Sequence, residues 1–242
     1  TPRGLIAAMV DGVNPQPGET ICDPACGTGG FLLAAHEYLI KDPNLTRDQK
    51  KKLKDGTFTG IELVQSVARL CAMNLLLHGI GSQESEPVLV RDSLAADPGD
   101  RFDIVLANPP FGKKGSFTIM GEDGKVSKDK DSYERDDFWA TTSNKQLNFV
   151  QHIKTLLAIN GRAAVVVPDN VLFEGGAGET IRRKLLHECD VHTLLRLPTG
   201  LFYAQGVKAN VVFFEKKGAS ETPWTKQLWI YDLRTNKHFT LK

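Results

Sequence analysis

Short apolar runs alternate with amphipathic stretches along most of this chain. Runs of four to eight apolar residues are typical of buried β-strands, whereas apolar residues every three or four positions are typical of helices. Strands that alternate with helices predict an α/β fold with a mainly parallel sheet covered on both faces. The predicted strands cover residues 20–24, 57–62, 88–91, 103–107, 163–167, 192–195 and 210–215, and the predicted helices cover residues 31–40, 65–78, 146–158 and 179–188.

The last two of these strands are predicted to form an antiparallel hairpin. The stretch PTGLFYAQG between them is too short for the helical crossover that a parallel pair needs. We therefore expect a mainly parallel seven-stranded sheet with a C-terminal antiparallel hairpin. The apolar run QLWIYDL, within residues 217–242, is predicted to be an edge strand or the start of a further region.

Two polar segments interrupt this alternation. Residues 112–145 are rich in Lys, Asp, Gly and Ser, and loops of that length in a compact domain are usually functional or disordered. We interpret this segment as a mobile flap beside the substrate rather than an inert insertion. The charged residues 50–54 are interpreted as a solvated turn before the second strand.

Composition sets broad limits. With 242 residues, of which 41% are hydrophobic and 24% charged, residues 1–242 are expected to form a single domain. The net charge of +1 gives no overall basic field, so if the protein acts on DNA, another protein should supply most of the DNA contacts. The four cysteines are scattered and predict reduced thiols without a metal site. No apolar run reaches the length of a membrane span, and we expect a cytoplasmic protein with no membrane contact.

A glycine-rich turn follows the first predicted strand. In DPACGTGG (23–30), Gly27, Gly29 and Gly30 allow a sharp turn from strand to helix and a close approach of the backbone to a ligand. The spacing is not GxGxxG, which disfavours a nicotinamide-dependent oxidoreductase. Asp23 would repel a phosphate but suits a cationic ligand, and S-adenosylmethionine carries an ammonium and a sulfonium.

Two further acids end the next strands. Glu62 lies where doubly wound folds place a carboxylate on ribose hydroxyls, and Asp92 could accept a hydrogen bond from an adenine amino group. Each acid alone could be a helix cap or a solvated strand end. Three acids at successive strand ends beside a glycine turn favour a cofactor site.

The tetrapeptide NPPF (108–111) ends the apolar run FDIVLA. The side-chain oxygen of Asn108 and the carbonyl of Pro109 can accept the two hydrogens of an exocyclic amine, which favours the pyramidal nitrogen of a transition state over the planar ground state. Pro109 and Pro110 fix the backbone and offer no competing donors. Phe111 can stack on a base that has left its duplex. The two motifs together predict a methyltransferase that acts on an exocyclic amine, and the alternative is a loop whose prolines cap the strand.

The chain resembles the modification subunits of type I restriction-modification systems over nearly its whole length. The resemblance rests on TPR (1–3), DPACGTGGFL (23–32), GIE (60–62), RDSL (91–94), NPPF (108–111), GRAAVVVPDNVLFEGG (161–176) and LPTGLFYAQGVKANVVFFEK (197–216). Cofactor motifs that precede the catalytic motif are typical of the gamma group of amino methyltransferases. The resemblance implies a Rossmann-like S-adenosylmethionine-dependent methyltransferase fold and site-specific methylation of adenine N6 in DNA.

The same resemblance implies roles for individual residues. The residues implied to bind the cofactor are Thr1, Asp23, Ala25, Gly27, Gly29, Glu62, Asp92, Ser93 and Leu94, with Thr1 beside the cofactor carboxylate. Asn108, Pro109, Pro110 and Phe111 are implied to be catalytic, with Phe111 on the target base. Phe202 is a second candidate for stacking on that base, or else a residue of the hairpin core. Lys208 is expected to be solvated, and Gly175 and Gly176 to begin a helix.

The implied partners are DNA, a specificity subunit, a restriction subunit and a second copy of the modification subunit. Whole modification subunits carry further regions before TPR and after the last strands, so we expect this chain to be a catalytic core that binds cofactor but methylates DNA poorly by itself. Two alternatives stay open at this point. One is an enzyme that methylates the glutamine amide of a protein, and the other is a non-catalytic, cofactor-binding scaffold subunit.

Overall fold

A computed structural model describes residues 1–82, 85–111, 116–120, 126–130, 132–202 and 208–235, with residues 116–120 and 126–130 described by their backbone alone. These residues contain seven α-helices, ten strands and a short 3-10 helix. The helices are α1 (Arg3–Val13), α2 (Gly30–Leu39), α3 (Arg47–Asp55), α4 (Gln65–Leu77), α5 (Lys145–Leu156), α6 (Asp169–Phe173) and α7 (Ala177–Glu188). The strands are β1 (Ile21–Asp23), β2 (Phe58–Glu62), β3 (Val88–Val90), β4 (Phe102–Ala107), β5 (Ser116–Met120), β6 (Val126–Lys130), β7 (Leu157–Pro168), β8 (Cys189–Arg196), β9 (Ala209–Lys216) and β10 (Trp229–Asp232).

Eight of the described strands form one sheet in the order β10-β8-β9-β7-β4-β1-β2-β3. β9 pairs antiparallel with both β7 and β8, and the other five pairings are parallel. The predicted α/β class and the hairpin of β8 and β9 are therefore confirmed. The predicted number of seven strands was wrong, because β10, from the run QLWIYDL, pairs with β8 at the edge and makes eight.

Three helices, α1, α3 and the short α6, were not predicted. α1 begins at Arg3, the last residue of TPR, and buries one apolar face, which includes Met9 and Val13. α3 lies where the charged residues 50–54 were interpreted as a turn, and that interpretation was wrong. α3 buries only Leu53, so it has almost no apolar period, but it begins with a capping box in which Thr46 and Gln49 exchange side-chain and backbone hydrogen bonds.

Both faces of the sheet are covered. α1 and α2 pack with α4 on one face, where Ile21, Leu32 and Leu75 are fully buried. α5 and α7 cover the other face, where Leu147 and Ile153 are fully buried. Burial of both faces accounts for the nearly continuous apolar sequences of the central strands. No helix among the described residues is both long enough and apolar enough to cross a membrane.

The predicted flap, residues 112–145, is partly described. β5 and β6 form a separate antiparallel hairpin. Residues 132–144 then lie against α5, whose side chains Asn148 and Gln151 bond the backbone of Thr142 and Ala140. This second half of the segment is attached to the body of the domain.

All four cysteines are unpaired and buried. The Sγ atoms of Cys26 and Cys71 lie 3.8 Å apart between the glycine turn and α4. Two glycines make this space, because a Cβ atom on Gly29 would lie 2.9 Å from Sγ of Cys71, and one on Gly60 would lie 2.9 Å from Sγ of Cys26. The thiols and the glycines therefore share one closely packed volume.

Candidate active site

The two sequence motifs meet at the carboxyl ends of β1 and β4, which are neighbours in the sheet. From β1 the sheet continues in one direction through β2 and β3, and in the other through β4 and β7. Such a change of direction is where open α/β sheets bind ligands. A cavity of about 300 Å³ opens here, and its lining residues are Thr1, Ile6, Asp23, Ala25, Cys26, Gly27, Thr28, Gly30, Phe31 and Asn108.

The glycine turn has the backbone geometry that the sequence predicted. Gly27 and Gly29 have φ values of 53° and 85°, in the left-handed region that favours glycine. Gly27 lines the cavity, and a Cβ atom there would meet no other atom within 4 Å. Gly29 instead is the N-cap of α2 and faces Cys71, outside the cavity lining.

Asp23 is fully buried at the base of the cavity, and its Oδ1 accepts a hydrogen bond from the backbone N–H of Ala25. Burial, and secondarily the nearby carboxylate of Glu62, raise the pKa of Asp23 to about 7. The Glu62 carboxylate accepts backbone hydrogen bonds from Gly27 at 3.1 Å and from Val64 at 2.9 Å. Above about pH 7, where Asp23 is ionised, the two carboxyl groups concentrate negative potential beside the glycine turn, which suits a cationic group of a ligand.

The RDSL motif lies at the end of β3. Oδ1 of Asp92 accepts from the backbone N–H of Leu94, and its Oδ2 accepts from the hydroxyl of Tyr133 at 3.0 Å. Ser93 is buried and donates to the carbonyl of Pro24, and the side chain of Leu94 is buried in the core. Ser93 and Leu94 thus hold the loop against the β1 turn, while Asp92 is partly exposed.

Asn108 joins the two halves of the site. Its Nδ2 donates a hydrogen bond of 2.7 Å to the hydroxyl oxygen of Thr1. Its Oδ1 is buried and has no hydrogen-bond partner among the described residues. A buried acceptor without a partner costs about 1–3 kcal/mol. The amide is therefore held on one side and has an unmet acceptor on the other.

The rest of NPPF is fixed by its surroundings. Pro109 is buried, and the carbonyl of Pro110 accepts a hydrogen bond from Nε2 of Gln146 at 3.0 Å. Phe111 and Phe202 are partly buried and meet edge to face, with ring centroids 5.4 Å apart and an interplanar angle of 84°. The two aromatic residues proposed from the sequence therefore contact each other and pack against the hydrophobic core, and neither is among the residues that line the cavity.

Other residues singled out from the sequence lie away from the cavity. Gly176 is the N-cap of α7, as predicted. Lys208 is exposed, and its backbone carbonyl accepts from Asp169. Sequence reasoning did not single out Tyr133 or Gln146, which support the site from residues 132–144 and α5. No local pattern marks either residue, because each contact joins segments at least 36 residues apart.

Comparisons with known proteins agree on one family. The family model described as N-6 DNA Methylase matches residues 1–241. Over 98% of its length, the chain is 44% identical to the methylase subunits of the type I restriction enzymes StySPI of Salmonella potsdam and EcoKI of Escherichia coli strain K12. The crystal structure of the EcoKI M protein is similar with a TM-score of 0.83 and 43% identity, covering 100% of this chain and 50% of that one. The chain spans 44% of the length of the two curated relatives.

Proposed function

This chain belongs to the N-6 DNA methylase family, and on that premise we propose that it is the catalytic part of a type I modification subunit that methylates adenine N6 in DNA with S-adenosylmethionine. The observation that carries the proposal is the shared cavity: the glycine turn with Asp23 and the NPPF residue Asn108 line the same space of about 300 Å³. A methyl donor held at the turn would lie beside the group that holds the acceptor amine.

The chemistry of the lining fits the cofactor. The carboxyl groups of Asp23 and Glu62 suit an ammonium and ribose hydroxyls, and Gly27 leaves room for a ligand close to the backbone. We assign Thr1, Asp23, Ala25 and Gly27 to the methionine end of the cofactor. The residues assigned to its ribose and adenine are Glu62 and Asp92, supported by Gly29, Ser93 and Leu94. When bound, S-adenosylmethionine supplies an electrophilic methyl group on a sulfonium.

The NPPF loop would prepare the acceptor. The lone pair of an exocyclic amine is delocalised into the adenine ring, so N6 is a poor nucleophile until the lone pair is localised. Oδ1 of Asn108 and the carbonyl of Pro109 would accept the two amino hydrogens and favour the pyramidal nitrogen. N6 would take the methyl group as the carbon–sulfur bond of the sulfonium breaks, which leaves a neutral thioether, and N6 would lose one proton to solvent. The bond from Gln146 to the Pro110 carbonyl, together with the fixed φ of both prolines, holds the loop in place.

The aromatic pair would receive the base. A target adenine must leave the duplex to reach Asn108, and Phe111 offers a ring on which it can stack. Phe202 lies edge to face with Phe111 and would supply the second aromatic contact.

The proposal includes partners. The curated relatives are named as subunits of type I restriction enzymes. We propose that this protein likewise assembles with DNA, a specificity subunit, a restriction subunit and a second copy of itself, in the cytoplasm where the cell's DNA lies. A net charge of +1 agrees with a division of labour in which another subunit provides most contacts to DNA phosphates.

The test is nucleoside mass spectrometry on host DNA from three strains: with the full-length gene, with the gene deleted, and with the deletion complemented by Asn108→Ala. We expect N6-methyladenine at the system's target sites only in the first strain. Methyladenine that persists in the complemented strain would support a scaffold subunit that serves another methylase. Loss of a methylated protein glutamine, with DNA unchanged, would instead identify a protein methyltransferase.

A further inference from the structure

We propose that Thr1 is a positioning residue through which a carboxylate in the cofactor cavity locks the amide of Asn108 in the orientation seen here, with Nδ2 on the Thr1 hydroxyl. This inference rests on the proposed function, because it takes the carboxylate to be that of the cofactor. It starts from two observations: the 2.7 Å bond from Nδ2 of Asn108 to the Thr1 hydroxyl oxygen, and the absence of any partner for Oδ1 among the described residues.

We call the hydrogen-bond chain from a cofactor carboxylate through the Thr1 hydroxyl to the Asn108 amide the relay. Its direction depends on which of these groups can donate a hydrogen and which can only accept. A threonine hydroxyl has one hydrogen to donate and lone pairs that accept. No described residue accepts the Thr1 hydroxyl hydrogen, and Thr1 lines the cavity. A carboxylate has no hydrogen to donate, so beside Thr1 it compels the hydroxyl to donate to it. The hydroxyl oxygen can then only accept from Asn108, which places Nδ2 on Thr1 and leaves Oδ1 for the target.

The opposite orientation of the amide would block the reaction. If the Thr1 hydroxyl donated to Oδ1, Nδ2 of Asn108 would face the target amine, and two donors would meet. The two orientations have nearly the same shape, so hydrogen bonding alone selects between them. Thr1 therefore couples the occupancy of the cofactor cavity to the ability of Asn108 to hold a base.

The inference predicts a linkage between cofactor and target base in the full-length subunit assembled with its specificity partner. The measurement is the affinity for duplex DNA with the target adenine, compared with the same duplex that lacks only that base. S-adenosylhomocysteine, which keeps the carboxylate, should strengthen the base-dependent part of binding about tenfold, within the usual range of coupling between two sites. An analogue that lacks the carboxylate should not strengthen it.

Variants at Thr1 separate positioning from support of the fold. Thr1→Val removes the hydroxyl. The base-dependent DNA affinity should then be the same with S-adenosylhomocysteine as with the analogue that lacks the carboxylate. The substitution should also lower kcat about tenfold, the effect of losing one ordering hydrogen bond. Thr1→Ser keeps the hydroxyl and should restore both properties. In an Asn108→Ala background, Thr1→Val should cause no further fall in kcat, because the amide it orients is gone.

Several results would overturn the relay. One is that both ligands strengthen the base-dependent DNA affinity of the wild type equally. A second is that Thr1→Val keeps the full difference in DNA affinity between the two ligands. A third is that the losses of kcat from Thr1→Val and Asn108→Ala add in the double variant. These results leave DNA methylation by the wild type intact, so they reject the relay and keep the proposed function. A wild-type complex that shows the ligand difference but methylates no DNA would reject the function and keep the relay.

Discussion

Asn108 in the cavity and Asn148 in α5 show how differently two regions of this domain treat a buried amide. Asn148 is fully buried, donates to the carbonyl of Thr142 and accepts from Gln151. Asn108 donates to Thr1, but its oxygen has no partner among the described residues. The α5 region uses polar groups to attach residues 132–144, whereas the cavity keeps an acceptor unmet. A buried acceptor that is left unmet in a cavity is available to a hydrogen-bond donor on a ligand.

The two regions also differ in how they surround a carboxyl group. In the α5 region Asp137 accepts from both Arg135 and Thr155, and these bonds hold the pKa of Asp137 below its ordinary value. In the cavity Asp23 has one backbone donor, and burial, together with the nearby carboxylate of Glu62, raises its pKa. The α5 region is not perfectly satisfied, because Nε2 of His152 is buried without a partner among the described residues.

The largest expected effect comes from Asn108→Ala. Removing the acceptor that we propose acts on the transition state should lower methyl transfer by about 100-fold or more, while cofactor affinity stays close to wild type. The unfolding free energy should be unchanged or slightly higher, because an unpartnered oxygen is removed. Single-turnover methylation, calorimetry with S-adenosylhomocysteine and urea denaturation measure the three quantities. A loss of cofactor affinity as large as the loss of rate would contradict these roles.

Asp23→Asn should act on the cofactor instead. Losing a charge-assisted contact should weaken cofactor binding by about 1.5–3 kcal/mol, with a smaller effect on the rate at saturation. Since the pKa of Asp23 is about 7, the wild-type protein should bind a cationic ligand more tightly at about pH 8 than at about pH 6. The asparagine variant should lack this difference, and Glu37→Gln is a matched control on the surface of α2.

The raised pKa of Asp23 also makes the stability of the folded protein depend on pH. The folded protein holds a proton on Asp23 up to about pH 7, whereas an unfolded chain releases it near pH 4. The stabilisation from this group is present below about pH 4 and is lost as the pH rises to about 7. S-adenosylhomocysteine carries an ammonium, which binds Asp23 more tightly when Asp23 is ionised. The ligand should therefore stabilise the folded protein more at about pH 8 than at about pH 6. The same thermal shift at both values would contradict this.

Asn148→Ala should lower the stability of the fold and leave methyl transfer nearly unchanged, which is the opposite of the result expected for Asn108→Ala. It leaves the Thr142 carbonyl and Nε2 of Gln151 with fewer partners, so the unfolding free energy should fall by about 1–3 kcal/mol. Methyl transfer by the remaining folded protein should be close to wild type. Urea denaturation and the rate per folded molecule test the pair of alanine substitutions side by side. A variant that kept its stability but lost transfer would erase the distinction between the two regions.

The smallest effect is expected from Tyr133→Phe, which removes the hydroxyl that donates to Asp92. Loss of this bond should lower the unfolding free energy by about 0.5–1.5 kcal/mol and change cofactor affinity only slightly. Tyr231→Phe, at a side chain that is 55% exposed, is the control and should change neither quantity. A large loss of affinity in Tyr133→Phe would mean that residues 132–144 belong to the cofactor site itself.

Sequence reasoning recovered the parts of the molecule that local patterns encode. Alternating apolar runs gave the central strands, and glycine and proline motifs at neighbouring strand ends brought Asp23 and Asn108 to one edge of the sheet. α3 was missed because only Leu53 is buried, although the Thr46 to Gln49 capping box was readable. The bond between Thr1 and Asn108 joins positions 107 residues apart, and only the folded chain reveals it.

The shared packing of Gly60 with Cys26 limits how this protein can diverge. A Cβ atom at position 60 would meet Sγ and Cβ of Cys26, at 2.9 and 3.2 Å, and Cδ1 of Leu32, at 3.1 Å. Alanine at position 60 therefore requires both Cys26 and Leu32 to give way. Because Cys26 also lines the cavity, a mutational library should reject single changes at position 60 and accept them only together with changes at these neighbours.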